Sequence, residues 1–150
     1  MIYYNMGNYD RALQYINNAI QLRKYAPDYY GWRAKINLTL KKYDIALKDL
    51  QTGHHLNPGH MRILEAIGQI FLDLNMYDSC IYYSNSIIKA DSTNYNAFYL
   101  LTKSYVKKGD SINAIDCLNK FKIRAPQNTE TSMMTRELQN TIAGSATPSD

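Results

Sequence analysis

Four short segments of the chain repeat one pattern: Tyr9-Asp10-Arg11-Ala12, Tyr43-Asp44-Ile45-Ala46, Tyr77-Asp78-Ser79-Cys80 and Ser111-Ile112-Asn113-Ala114. The small residues that end these segments are spaced by the same 34 residues each time. A fixed period of this size is typical of solenoids, in which each repeat is one supersecondary unit that buries its apolar face against its neighbours. The period therefore predicts a repeat architecture before any single element is considered.

Two helices fit within each period. The first carries apolar residues at i, i+3, i+4 and i+7 or i+8, and the second carries a small residue followed by apolar residues at helical spacing. Turn residues such as Gly7-Asn8 and Gly109-Asp110 fall between the paired helices. Pro58 and Pro126 follow second helices, and Pro27 fits the first turn of the next helix.

The repeat resembles the tetratricopeptide signature, which is large-x-x-Leu-Gly-x-x-Tyr, then Ala-x-x-x-Phe, then Pro. The matching residues are Leu64, Ile67, Gly68, Phe71 and Cys80, with Ala46, Pro58, Ala114 and Pro126 at the Ala and Pro positions. The chain departs from the signature at Arg33, Asn37 and Ser84, where Leu, Tyr and a large residue are usual. The resemblance implies an all-α, right-handed α-solenoid of antiparallel helix pairs, with about three and a half 34-residue repeats and a C-terminal capping helix.

The repeat register also predicts how the chain is divided. A tetratricopeptide array is expected over residues 1–127, a capping helix over 128–144 and a disordered tail over 145–150. Met1 falls near the ninth position of a first helix, so the first repeat is incomplete. We expect the chain to have been cut from a longer protein; the alternative is that another copy or another domain supplies the missing half. The apolar side of the second helix, residues 9–24, would then be exposed and would favour self-association.

Residues that could carry chemistry do not form a site in the sequence. His54 and His55 are adjacent and would point about 100° apart on a helix, and no supporting ligand accompanies them or His60, so no metal site is expected. Cys80 and Cys117 form no Cys-x-x-Cys pair and are interpreted as buried thiols. No catalytic residue and no cofactor are expected, and the chain is not predicted to be an enzyme.

The charge pattern restricts the class of partner. The net charge is +4, but the basic residues are scattered among 13 acids, which is typical of a mixed-charge surface rather than a nucleic-acid stripe. No stretch approaches the roughly 20 apolar residues of a membrane span. The sequence does not assign a compartment: a soluble cytoplasmic, periplasmic or other extracytoplasmic location fits equally. The expected partner is a protein or peptide.

The tetratricopeptide resemblance also implies where a partner would bind, because the first helices of such repeats line a concave groove. The groove positions of the family fall on Trp32, Lys35, Thr39, Arg62, Glu65, Gln69, Asp73, Asn96, Tyr99, Lys103 and Lys107. Trp and Tyr often dominate binding energy, although packing of Trp32 in the core is an alternative. The carboxylate clamp of chaperone-binding members is mostly absent, since its positions hold Gly31, Lys35, Ala66, Asn96 and Leu100.

Three hypotheses about function follow. The leading one is a protein–protein interaction scaffold that binds a peptide or helix of a partner in its concave groove. An alternative is a structural spacer or self-assembly segment of a larger protein. Another is the regulatory region of an enzyme or transcription regulator whose other domain lies N-terminal.

Overall fold

The computed structural model describes residues 2–145, and within them every regular element is an α-helix. The helices are α1 (Ile2–Asn5), α2 (Tyr9–Leu22), α3 (Pro27–Thr39), α4 (Tyr43–Leu56), α5 (Met61–Asp73), α6 (Tyr77–Ala90), α7 (Tyr95–Lys107), α8 (Ser111–Arg124) and α9 (Thr129–Ser145). The predicted all-α class and the two helices per period are confirmed. The chain divides into two compact units, Met1–Ile70 and Phe71–Asp150.

The turn inside each helix pair contains one residue in the left-handed conformation. These residues are Gly7, Lys41, Asn75 and Gly109, with φ of 72°, 57°, 59° and 75°. They recur at the same 34-residue interval as the sequence pattern. Glycine adopts this conformation without a steric penalty and Asn tolerates it, whereas most side chains lose about 1–2 kcal/mol. The repeat is therefore a property of the backbone as well as of the side chains.

The helix boundaries follow from the capping residues that the sequence supplies. Asn8, Asn94 and Asp110 accept a hydrogen bond from the backbone N–H three residues on, at 3.2, 3.0 and 3.1 Å. Such a bond satisfies one of the N–H groups that a helix start leaves without a partner. Pro27 begins α3, as predicted, where its missing N–H costs no helical bond.

In the first unit, the departure of Arg33 from the tetratricopeptide signature is explained by a carboxylate partner. Arg33 on α3 donates from Nε and Nη2 to the two carboxylate oxygens of Asp49 on α4, at 2.9 and 2.6 Å. Its Nη1 donates to Asn17 on α2 at 2.8 Å. The side chain of Asp49 is only 6% exposed, and the hydrogen bonds that Arg33 donates to it raise the pKa of Arg33. A planar two-pronged contact of this kind is among the stronger polar interactions in proteins.

The second unit is built around an apolar cluster between α7, α8 and α9. Its buried members are Phe98, Leu101, Cys117, Leu118, Phe121, Ala125 and Leu138. The two thiols are free and buried, as the sequence indicated. Burial raises the pKa of Cys80 and raises that of Cys117 to about 11. Both cysteines therefore act as small core residues at neutral pH.

Helix α9 follows the turn at Asn128, whose side chain accepts from the N–H of Thr131 at 2.9 Å. Leu138 is fully buried, and Met134 and Ile142 pack beside it. The sequence predicted a capping helix over 128–144, and α9 spans Thr129–Ser145. Helix ends commonly shift by one or two residues. Of the predicted disordered tail, 145–150, the first residue is thus helical, and 146–150 lie outside the described residues.

Candidate functional site

A pocket of about 240 Å³ lies between α3 and α5 in the first unit. We call it the α3–α5 pocket. Three of the groove residues suggested by the resemblance, Trp32, Lys35 and Arg62, line it together. The other lining residues are Asp28, Gly31, Leu38, His60, Ile63 and Ala66. The pocket thus combines an apolar interior with a polar edge, which is the usual composition of a binding site.

Trp32 is the aromatic wall of this pocket and is partly buried. It also lines a second, mainly apolar pocket of about 290 Å³ with residues of α1 and α2. The sequence left open whether Trp32 packs in the core or faces a groove. In the structure its side chain is partly buried and lines both pockets.

A cation lies over the aromatic rings beside the α3–α5 pocket. The ammonium of Lys35 is 5.4 Å from the centroid of the Trp32 ring and 5.2 Å from that of Tyr4. Tyr4 in turn shares a hydrogen bond of 3.0 Å between its hydroxyl and that of Thr39. Contacts of a cation with ring faces contribute about 0.5–1 kcal/mol at exposed sites. They hold the charge of Lys35 at the rim of the pocket.

The acid of the pocket is already paired. Asp28, in the first turn of α3, accepts a contact of 3.0 Å at Oδ1 from His60 Nε2. The tight turn at Asn57 places His60 there, because Asn57 binds the N–H of Gly59 through Oδ1 at 3.1 Å and that of His60 through its carbonyl at 3.1 Å. Sequence reasoning missed this pairing, because Asp28 and His60 lie in different repeats.

In the second unit, two more groove residues contact the capping helix. The Tyr99 hydroxyl donates to Glu137 Oε2 at 2.8 Å, and Lys103 Nζ donates to Glu137 Oε1 at 2.9 Å. Lys103 also lies 5.2 Å from the Tyr99 ring centroid. The structure therefore gives Lys103 a carboxylate from the chain itself.

Glu137 could have been found from the repeat register. It lies 34 residues after Lys103, so it occupies the same position on α9 that Lys103 occupies on α7. Hydrogen bonds from Lys103 lower the pKa of Glu137. Burial alone would lower the pKa of Lys103, but the contacts with Glu137 and Tyr99 outweigh it and the pKa is raised. Both groups are therefore charged near neutral pH.

The remaining groove residues of the sequence analysis lie on two helices, α5 and α7. Glu65 and Gln69 are half-buried on α5, Asp73 is exposed at its end, Asn96 is half-buried on α7 and Lys107 is exposed in its last turn. None of these five lines the α3–α5 pocket.

Two surveys of residues 2–145 concern other classes of function. None of the helices in this range is both long and apolar enough to cross a membrane. No group of three or more His, Cys, Asp and Glu side chains in the same range is arranged to hold a metal ion.

Comparisons with known proteins agree with the repeat. Residues 1–25 match the family model described as tetratricopeptide repeat. The chain is similar to the solved structure of MamA from Desulfovibrio magneticus RS-1, with 18% identity, a TM-score of 0.75, and coverage of 95% of this chain and 84% of that one. A tetratricopeptide repeat protein from Parabacteroides merdae ATCC 43184 gives 18% identity, a TM-score of 0.81, and coverage of 95% and 56%.

A third solved structure, YrrB, is described as a tetratricopeptide protein with an unusual peptide-binding site. It gives 19% identity and a TM-score of 0.77, and the match covers 93% of this chain and 70% of that one. No curated protein matches the sequence. At these identities the likeness concerns the fold. The resemblance drawn from the sequence is confirmed, and the chain has the tetratricopeptide solenoid fold.

Proposed function

Because the chain has the tetratricopeptide fold, we propose that it is a protein-interaction module that binds a peptide or helix of a partner through the faces of its first helices. The observation that carries this proposal is the α3–α5 pocket, where Trp32, Lys35 and Arg62 come together. Trp and Arg are among the residues that most often dominate binding energy at interfaces. The pocket volume of about 240 Å³ suits one large side chain of a partner.

The fold supports the same class of function. Tetratricopeptide repeats generally mediate protein–protein interactions, and scaffolds of this kind are typically not enzymes. In such stacks the small rotation between repeats creates an extended binding surface. The groove residues named from the sequence are proposed as that surface, with the α3–α5 pocket as its anchor point.

The proposal is tested by capturing partners from a lysate of the source cells on the immobilised chain. Trp32→Ala removes the wall of the pocket and is expected to lose the specific partners. Tyr82→Ala is the matched control, because Tyr82 is an exposed aromatic residue on α6. Circular dichroism checks that both variants keep their helices. Equal capture by the wild type and both variants would reject the pocket as a binding site.

A second function, self-association, is favoured by a different surface. The 290 Å³ pocket between α1, α2 and α3 is mainly apolar, and Leu22 on α2 is 86% exposed while Tyr15 is 60% exposed. Apolar surface of this kind favours contact with another protein. Sedimentation velocity over a range of concentrations tests it: the wild type is expected to form dimers that Tyr15→Glu/Leu22→Glu abolishes. A wild type that stays monomeric at all concentrations rules this function out.

A further inference from the structure

The interior of the α3–α5 pocket is apolar and open to an aliphatic side chain. Trp32 and Leu38 on α3 face Ile63 and Ala66 on α5 across it. The small Gly31 leaves additional space, since a methyl group there would still be 3.8 Å from Ile63. Transfer of a side chain such as Leu or Ile from water to surroundings like these is favourable. The pocket therefore selects for an apolar residue of the partner, but this alone does not define its neighbours.

The charges at the rim of the pocket indicate which residues flank that apolar residue in the partner. Lys35 and Arg62 both line the pocket and both are exposed. Among the described residues that line it, Asp28 is the one acid, and it is in contact with His60 at 3.0 Å. Glu65, three residues after Arg62 on α5, is not part of the lining. The rim therefore presents a positive charge to an incoming segment.

The position of Lys35 makes that charge available next to the apolar interior. Its ammonium lies over Trp32, which is itself part of the pocket wall. An acid adjacent to the inserted residue would therefore come close to Lys35 while the apolar side chain covers the indole. Opposite charges near a protein surface attract with energies that increase as the surrounding water is displaced.

We propose that the α3–α5 pocket recognises a short partner segment in which a large aliphatic residue stands next to Asp or Glu. The aliphatic side chain enters between Trp32 and Ile63, and the carboxylate is bound by Lys35 and Arg62. This inference rests on the proposed function and names the chemistry of the partner at that site. It is independent of the Tyr99–Lys103 region, where the chain supplies its own carboxylate through Glu137.

The test selects peptides rather than unknown proteins. A library of random twelve-residue peptides displayed on phage is panned against the wild type and against Lys35→Glu/Arg62→Glu. A control with the same change in net charge, Lys42→Glu/Lys48→Glu, alters exposed lysines that do not line the pocket. The wild type and the control are expected to enrich Asp or Glu beside Leu, Ile or Met. The rim variant, Lys35→Glu/Arg62→Glu, is expected to enrich Lys or Arg beside the aliphatic residue instead.

Binding of one selected peptide is then measured in solution. Trp32 is the only tryptophan of the chain, so its fluorescence reports on binding beside its ring, and the loss of the signal in Lys35→Glu/Arg62→Glu assigns that binding to the α3–α5 pocket. Replacing the acid of the peptide by its amide should weaken binding roughly tenfold, and replacing the aliphatic residue by Ala should weaken it by a similar factor. With the peptide labelled, fluorescence anisotropy measures whether Trp32→Ala abolishes binding.

The outcomes separate the inference from the function on which it rests. Peptides that require Trp32 but show no acidic preference, or a preference that the rim variant does not invert, overturn the inference and leave the binding module in place. Failure to enrich any peptide that requires Trp32 overturns the inference as well. The separate failure of the proposed function would be equal capture of partners from the lysate by the wild type and by Trp32→Ala.

Discussion

Replacement of Arg33 by Leu, the residue usual at this position of the repeat, is expected to destabilise the chain. The change leaves the Asp49 carboxylate, whose side chain is 6% exposed, without its two hydrogen bonds. Removing one partner of a buried ion pair typically costs about 3–5 kcal/mol. Because the Arg33 side chain is 27% exposed, water can partly replace it, and we expect a loss of about 2–4 kcal/mol in the free energy of unfolding.

Two further variants complete a double-mutant cycle and test the cause of that loss. Asp49→Ala leaves Arg33 with Asn17 and access to water, so its cost should be smaller, about 1–2 kcal/mol. The double variant Arg33→Leu/Asp49→Ala should be more stable than Arg33→Leu alone, because no buried charge remains. Stability is measured by urea unfolding followed by far-UV circular dichroism. Asp116 and Lys120 on α8 form a control pair, and both are about half exposed. Replacing one of them by Ala should lower the free energy of unfolding by less than about 0.5 kcal/mol.

Two results would refute the reasoning about this pair. The first is a loss of less than about 1 kcal/mol in Arg33→Leu, which would mean that the carboxylate finds water at no cost. The second is a double variant no more stable than Arg33→Leu, since the cost would then come from lost packing and not from an unpaired charge.

Three further predictions concern the turns, the capping helix and the thiols. Lys41→Gly should stabilise the chain by about 1 kcal/mol, because glycine adopts the left-handed backbone conformation without strain. Lys42→Gly is a control without that gain, and both are measured by urea unfolding. Equal effects of the two changes would contradict the argument. The pKa of Glu137 is lowered, so its contribution to the stability of the fold is present above the unfolded pKa of 4.5 and is lost as the pH falls through the lower folded pKa. The melting temperatures of the wild type and Glu137→Gln should therefore differ at pH 7 and converge at about pH 3. A difference that stays constant with pH would exclude this cause. Because burial raises the pKa of Cys80 and Cys117, a thiol reagent at neutral pH should label both only after unfolding, and rapid labelling of the native chain would show that they are accessible.

The fold was predictable because its determinants are periodic. A single interval of 34 residues relates the small residues Ala12, Ala46, Cys80 and Ala114, all of which are buried in the structure. Any one copy departs from the signature, but a departure such as Arg33 does not disturb the period. Its explanation by Asp49 could not be read from the sequence, because the two residues lie on different helices and only the crossing of α3 and α4 brings them together.

The candidate site was predictable only in part, for a related reason. Trp32, Lys35 and Arg62 occupy positions that the resemblance assigns to the groove, and the pocket gathers those three. The pairing of Asp28 with His60 depends on the turn before α5, which sequence periodicity does not describe. Glu137 is different, because it stands one period after Lys103 and the same register could have identified it. The assignment of the groove residues to partner binding remains a prediction.

The Arg33–Asp49 pair also bears on how similar repeats avoid assembling in the wrong order. Misassembly between neighbouring units is a characteristic failure of repeat proteins. The residues one or two periods from Asp49 are Tyr15, Tyr83 and Cys117, so no other second helix offers a carboxylate at this position. If α3 paired with one of those helices during folding, Arg33 would face an aromatic ring or a thiol and its charge would lack a partner. We therefore expect the ion pair to favour the native neighbour of α3, so that the contact that departs from the family pattern also helps to select the chain register during folding.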